Sequence, residues 1–289
     1  SPKLAFMVHS NATATAENIY NTFYKDSKYD KYWFEYEGKP LLLGNKAEIS
    51  HTLVKGLVDR FTFRNSWAWM GGANADEWAW LEYYPQRPGW TSVYNSILGT
   101  TVKKTEQISV SVAQHATTKV GKSYHGGKQP AYDKYGLCEE TPYGLYFQEQ
   151  WNHAIDVHPP IVMVTQFNEW IAQRFVIHNQ GEYGNIRPGA TAKIGETYFV
   201  DVYNAEFSRD LEPGTHPLIR DNYYLQLVSN TRKYRGVNKI PVPTVNLSID
   251  INGDFSQWDA EPVEYRDDKG DVAYISRDVQ TAETLERKS

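Results

Sequence analysis

Apolar residues in this chain gather in short continuous runs, each closed by polar or aromatic positions. Leu4-Ala5-Phe6-Met7-Val8 is such a run, which predicts a parallel strand buried on both faces. Lys39 to Leu43 predicts a second strand, closed by Gly44-Asn45, and Phe61 to Trp69 a third that ends in aromatic residues. Ile108 to Val112 alternates and predicts a fourth strand ending at Gln114-His115. Ile161 to Thr165 predicts a fifth, running into Gln166-Phe167-Asn168-Glu169-Trp170. Helical spacing occurs around Ala16 to Tyr24, over Ala47 to Val58 (Ile49, Leu53, Val54, Leu57) and from about Leu145 to Val157. Long loops separate the rest, at Met70 to Trp90 and Ala116 to Pro142, and the stretch Tyr198 to Arg235 reads as helical and charged.

Strands alternating with helices predict a parallel sheet, and polar clusters at strand C-terminal ends are how a (β/α)₈ barrel assembles a site. Five strands do not close such a barrel. The expected fold class is therefore α/β, a (β/α)₈ (TIM) barrel lacking its first βα units in this chain. No glycine-rich phosphate loop follows any strand, which argues against a doubly wound nucleotide-binding sheet. Ser1-Pro2-Lys3 leads almost directly into the first strand, so a missing N-terminal barrel segment is expected on the same gene product. Ile240-Pro241-Val242-Pro243 is a stiff linker. It divides residues 1–239, the later part of the barrel, from residues 240–289, a short β-like C-terminal segment.

The chain has 289 residues and a formal net charge of −5, which argues against a nucleic-acid partner needing a basic surface. No apolar run is long enough for a membrane span. A single cysteine, Cys138, excludes an intrachain disulfide and a thiolate metal cage. Composition changes the picture in one respect: nine Trp and 21 Tyr bring the aromatic fraction to 14%. Flat rings serve either to stack on sugars or to fill a rigid core.

The candidate chemistry lies at the strand ends. Glu169, at the tip of a buried apolar strand, occupies a place where charge is costly unless something uses or satisfies it. Asn168 and Trp170 beside it suit hydrogen bonding to and stacking on a sugar. The structural alternative is an ion pair between Glu169 and Arg174. His9, Arg64, Asn65, Trp67, Trp69, Gln114 and His115 share one rim in the barrel reading, with Tyr124 and His125 in the loop that follows. Of the two indoles two residues apart, the one nearer the strand end, Trp69, is the expected platform and Trp67 the wall. The histidines lack a metal-ligand spacing, so neither metal nor cofactor is expected. Asp76 and Glu77 are possible rim carboxylates, and Glu149 falls on the helix before the fifth strand, on the side away from the rim. Asp250 to Asp254 is read as a hairpin turn at Asn252-Gly253, because its glycine falls too early for a calcium loop.

Val164-Thr165-Gln166-Phe167-Asn168-Glu169-Trp170-Ile171-Ala172 resembles the last barrel strand of glycoside hydrolases of the family 99, family 71 and WbsX-like type. Ile108 to His115, Ser123-Tyr124-His125 and Glu206 to Asp210 are similar to segments of related secreted barrel proteins of gut and environmental bacteria. After the Trp, Ile171-Ala172-Gln173-Arg174 replaces the small acidic continuation usual there. Ile251 to Trp258, with Asp267 to Asp271, resembles the opening of a family 9-like carbohydrate-binding β-sandwich. The resemblance implies a secreted, periplasmic or cell-surface bacterial protein whose partner is a carbohydrate. It implies hydrolysis of glycosidic bonds in a poly- or oligosaccharide through paired carboxylates, Glu169 being one. The alternative is a non-catalytic polysaccharide-binding protein that keeps an aromatic cleft and lacks the second carboxylate.

Overall fold

In a computed structural model of the chain, the described residues are 2–45, 60–114, 120–133, 136–168, 174–176, 194–199, 204–214, 217–236, 248–258, 274–275 and 284–285. The chain divides into two compact units, Ser1–Gly236 and Val237–Ser289.

The first unit opens with β1 (Phe6–Val8), α1 (Ala12–Ile19), β2 (Glu35–Tyr36), β3 (Lys39–Gly44) and β4 (Thr62–Asn65). Strands β1, β3 and β4 run parallel, with Phe6 opposite Leu42 and Leu43 opposite Arg64, while β2 pairs antiparallel to β3. The pleat sorts their side chains. Leu42 packs with Val8, Ala12, Ala16, Tyr24, Trp33 and Phe61 on the α1 side, whereas Leu41 and Leu43 face the buried Trp78, with Ile161 and Met163 beside it.

A second sheet holds β5 (Gly89–Asn95), β6 (Thr100–Val110) and β7 (Ile161–Val164). Strands β5 and β6 form an antiparallel hairpin, and only the far end of β6, Gln107–Val110, runs parallel to β7. Ile108 and Val110 pack beneath α2 (Leu145–Val157), which contributes Phe147, Trp151 and Ala154 at helical spacing. Helix α3 (Asn222–Arg235) adds Tyr223 to the same core and ends at Gly236, whose φ of +64° suits a left-handed helix stop. The extended segment after residue 76 joins the sheets: Asn65 bridges Glu77, Ala68 bridges Leu81, and Gln107 Nε2 donates to the Ala79 carbonyl at 2.9 Å.

This arrangement corrects the expected barrel. Among the described residues there are two small mixed sheets and no closed barrel. The five predicted strand segments are present, but the Met70–Trp90 loop and the β5–β6 hairpin divide them between the two sheets. The hairpin is antiparallel, which no strand–helix alternation foretold. The predicted helix at Ala47–Val58 lies outside the described residues. Among the described residues of Tyr198 to Arg235, helix is confined to Asn222–Arg235, and Thr197–Phe199 instead forms a strand, β9, paired antiparallel with β8 (Arg174–Val176).

The second unit is described at Phe255–Trp258, a short 3₁₀ turn, and at β10 (Tyr274–Ile275), antiparallel to β11 (Thr284–Leu285). At Asp250 to Asp254 the Asp250 carboxylate accepts from the Asn252 backbone N–H, as an Asx turn does.

Candidate functional site

The C-terminal ends of β1 and β4 bring aromatic side chains together. His9 follows β1, and its imidazole stacks on the Trp67 indole with ring centroids 3.8 Å apart and planes 19° from parallel. Trp80 meets the same indole edge-on at 6.0 Å. A second pair lies along the same segment, Trp69 stacked on Tyr83 at 5.9 Å and 20°. Trp67 is 40% exposed, and Tyr83 and Tyr84 are exposed to a similar degree. The backbone explains the placement. β4 ends at Asn65, Ser66 N–H returns to the Gly44 carbonyl, and Trp69 takes a left-handed φ of 59° while its N–H reaches the Leu81 carbonyl. Both indoles therefore stand beyond the strand rather than on its pleat.

This exchanges the roles expected for the two. Trp67 is the exposed ring, and Trp69 is half-buried with its Nε1–H donated to Gln114 Oε1 at 3.1 Å. Gln114 is fully buried and continues inward, its amide donating to the Glu82 carbonyl and to the Tyr146 hydroxyl. Burial raises the Tyr146 pKa well above the ordinary phenol value. Tyr124 touches the Tyr146 ring edge-on at 5.9 Å. Gln114 is thus a fixed support for Trp69, out of reach of a ligand.

Arg64 does not face the rim. It is buried, and its Nε and Nη2 grip Glu106 in a bidentate pair at 2.8 and 2.6 Å, with Nη2 also 2.9 Å from Glu37. Burial alone would lower the guanidinium pKa, but the hydrogen bonds it donates to Glu106 and Glu37 outweigh that and raise it. The fully buried Glu106 carboxylate also accepts from Trp78 Nε1 and the Tyr36 hydroxyl. Burial, followed by the Glu106 charge, pushes the Tyr36 phenol up to about 12. The sugar-binding expectation for Arg64 is corrected accordingly: this cation is consumed inside the protein.

Asn65 donates to Glu77 Oε1 at 3.2 Å, and Glu77 is buried by further bonds from Asn74 N–H and Nδ2. His125 is exposed, its Nδ1 3.1 Å from the Ser123 carbonyl. Gln166, with φ of +68°, buries its side chain and accepts from Val112 N–H, which turns Phe167 and Asn168 out to solvent at the end of β7. His115, Glu169 and Trp170 lie outside the described residues. The aromatic rim therefore consists of two groups, His9 with Trp67 and Trp80, and Trp69 with Tyr83, and Trp80 and Tyr83 are not among the sequence candidates. The signal for Trp80 is the alternation of Trp78, Trp80 and Glu82 along a segment read as loop.

A second polar cluster is sealed. Glu206 is 0% exposed and accepts from Ser123 N–H (2.9 Å), Ser123 Oγ (2.7 Å), Gln129 Nε2 (2.8 Å) and Thr141 Oγ1 (2.7 Å). Gly121 packs against this carboxylate so closely that any side chain there would collide with it. Buried Lys122 sits with its ammonium 4.5 Å above the Tyr223 ring. Desolvation lowers its pKa to about 8, against the opposing pull of Asp210 and Glu206. Among the described residues, no group of three or more His, Cys, Asp or Glu side chains is placed to hold a metal ion. No described helix is long and apolar enough to cross a membrane.

No protein-family model, no curated protein and no solved structure matches the chain.

Proposed function

We propose that the first unit binds a poly- or oligosaccharide across the aromatic rim and hydrolyses a glycosidic bond with Glu169 as one of two carboxylates. The observation that carries the reading is the exposed indole of Trp67, held rigid between His9 and Trp80. A ring fixed by neighbours loses little freedom when a sugar face lies on it, so stacking is not offset by ordering entropy. Trp69 and the exposed Tyr83 form a second stacked pair on the neighbouring segment. Glu169 follows Phe167 and Asn168, which lie exposed beyond the half-buried β7, and it belongs to the segment similar to hydrolases of the family 99 and family 71 type. Its role rests on that resemblance and on the chemistry of a carboxylate as acid, base or nucleophile. With Arg64 neutralised inside, the rim favours sugar rings recognised by stacking and hydroxyl bonding.

The test is a glycan panel scored for both binding and reducing-end release. The reading expects retained binding without turnover for Glu169→Gln, and lost binding for Trp67→Ala. Binding without any turnover by the parent chain would favour a non-catalytic polysaccharide-binding protein. Undiminished turnover by Glu169→Gln would remove that residue from the mechanism.

A further inference from the structure

The β5–β6 hairpin outgrows the sheet that anchors it. Its root is held by Gln107–Val110 against β7, by Asp76 N–H on the Trp90 carbonyl and by Thr91 Oγ1 on the Asp76 carboxylate. Beyond Thr105, β6 pairs only with β5 among the described residues, so Ser92–Asn95 and Thr100–Lys103 form a two-stranded arm. Such a ribbon is marginal in water by itself and gains from a surface to lean on. The turn at its end is closed by the Asn95 carboxamide, which accepts from the Ile97 and Leu98 N–H groups, and by Gly99 at φ of +64°. This turn presents apolar side chains to solvent, with Ile97 93%, Leu98 64% and Tyr94 71% exposed.

Charge on the arm departs from charge on the chain. Residues 90–105 contain Lys103 and Lys104 and no acidic residue, in a protein of net charge −5. The groups are also ordered by depth. Ile97 and Leu98 form the tip, and Tyr94 and Thr101 pair one step behind it. Lys103 lies opposite Ser92, about 10 Å from the turn at the rise of a strand. Its ammonium stands 4.1 Å above the Trp90 ring. Aliphatic tip, amphipathic phenol and then cations match the acyl boundary, interface and headgroups of a bilayer, in which such anchors bury about 5–10 Å. A tip this exposed at the end of an arm fits a fluid surface better than a protein groove.

From this ordering we infer that the β5–β6 arm is a peripheral anchor for an anionic lipid surface. Ile97 and Leu98 enter the acyl boundary, and Lys103 and Lys104 meet the headgroups. The inference stands apart from the glycan reading, since none of these residues belongs to the aromatic rim.

Sedimentation of the full chain with sucrose-loaded vesicles tests it, using phosphatidylcholine alone and phosphatidylcholine mixed with phosphatidylserine. The expected result is partition onto the phosphatidylserine vesicles that weakens with added salt. Ile97→Asp combined with Leu98→Asp should lower partition by about tenfold or more, because apolar burial is replaced by charge. Lys103→Glu with Lys104→Glu should reduce it to the level on phosphatidylcholine alone. Leu98→Trp, which keeps the tip apolar and the arm intact, should strengthen it. No partition by the parent chain, or equal partition by parent and tip variant, would overturn the inference. Self-association or capture of an acidic protein through the tip, with vesicles ignored, would overturn it as well.

Discussion

The aromatic rim and the Glu206 cluster differ in where their side chains find partners. At the rim the partners are rings: His9, Trp67 and Trp80 hold one another by stacking and edge contacts, and Trp67 stays 40% exposed. In the cluster every contact turns inward, and four donors from residues 123, 129 and 141 converge on one carboxylate. A carboxylate so fully used inside the protein stitches loops together. An indole held by two ring neighbours and still exposed leaves surface for the proposed sugar. Burial of a charged residue is therefore a poor guide to chemistry here, and the accessible aromatic face is the better one.

The comparison breaks most easily at the cluster. Glu206→Ala should destabilise the chain by about 3–5 kcal/mol, because the Ser123, Gln129 and Thr141 donors lose a buried acceptor and buried Lys122 loses a nearby negative charge. A denaturant midpoint measures this, and a midpoint within experimental error of the parent would deny the cluster its structural role. Arg64→Met should cost about 3 kcal/mol by leaving Glu106 without its cation. Adding Glu106→Leu should recover most of the loss, since an ion pair replaced whole by apolar side chains is often neutral. If the double variant is no better than the single one, the pair does more than fill the interior.

How much of this was legible follows the range of the interactions. Helix α2 reads directly, because Phe147, Trp151 and Ala154 sit on one face and α2 needs nothing distant to define it. The strand cores at Lys39–Gly44 and Ile161–Val164 read from their apolar runs. The β5–β6 arm does not: its strands carry Thr, Ser and Lys on both faces, its turn is apolar, and only Gly99 marks the reversal. The expected closure of the sheet into a barrel rests on strand–helix alternation and on polar strand ends, and the antiparallel β5–β6 hairpin breaks that alternation. Arg64 pairs with a residue 42 positions away and Glu206 with one 83 away, distances at which spacing in the sequence carries no signal. The candidate site was legible as a set of strand-end residues, but not in which of them faces solvent.

A smaller effect comes from Lys122, whose pKa of about 8 in the folded chain compares with 10.5 ordinarily. Between those values the unfolded chain binds the proton that the folded chain has released. Stability therefore rises as pH increases from 8 towards 10.5 and is lost as pH falls back through 8. Lys122→Met should flatten that part of the profile while keeping the volume near Tyr223. An unchanged slope in the variant would assign the titration to another group. Tyr36, pushed up to about 12, works the other way, and its contribution declines above pH 10.

The central claim is that the exposed face of Trp67 is a sugar platform, and the direct measurement is glycan affinity of the parent chain against Trp67→Ala. Calorimetry with a binding oligosaccharide identified from a panel, with Trp69→Ala as comparison, gives both numbers on the same material. The account predicts a loss of about tenfold or more for Trp67→Ala, with unfolding shifted by less than about 1 kcal/mol. For Trp69→Ala it predicts a larger stability loss, because Gln114 and Tyr83 lose their partner. Equal affinity of the parent and Trp67→Ala for the same oligosaccharide would contradict it.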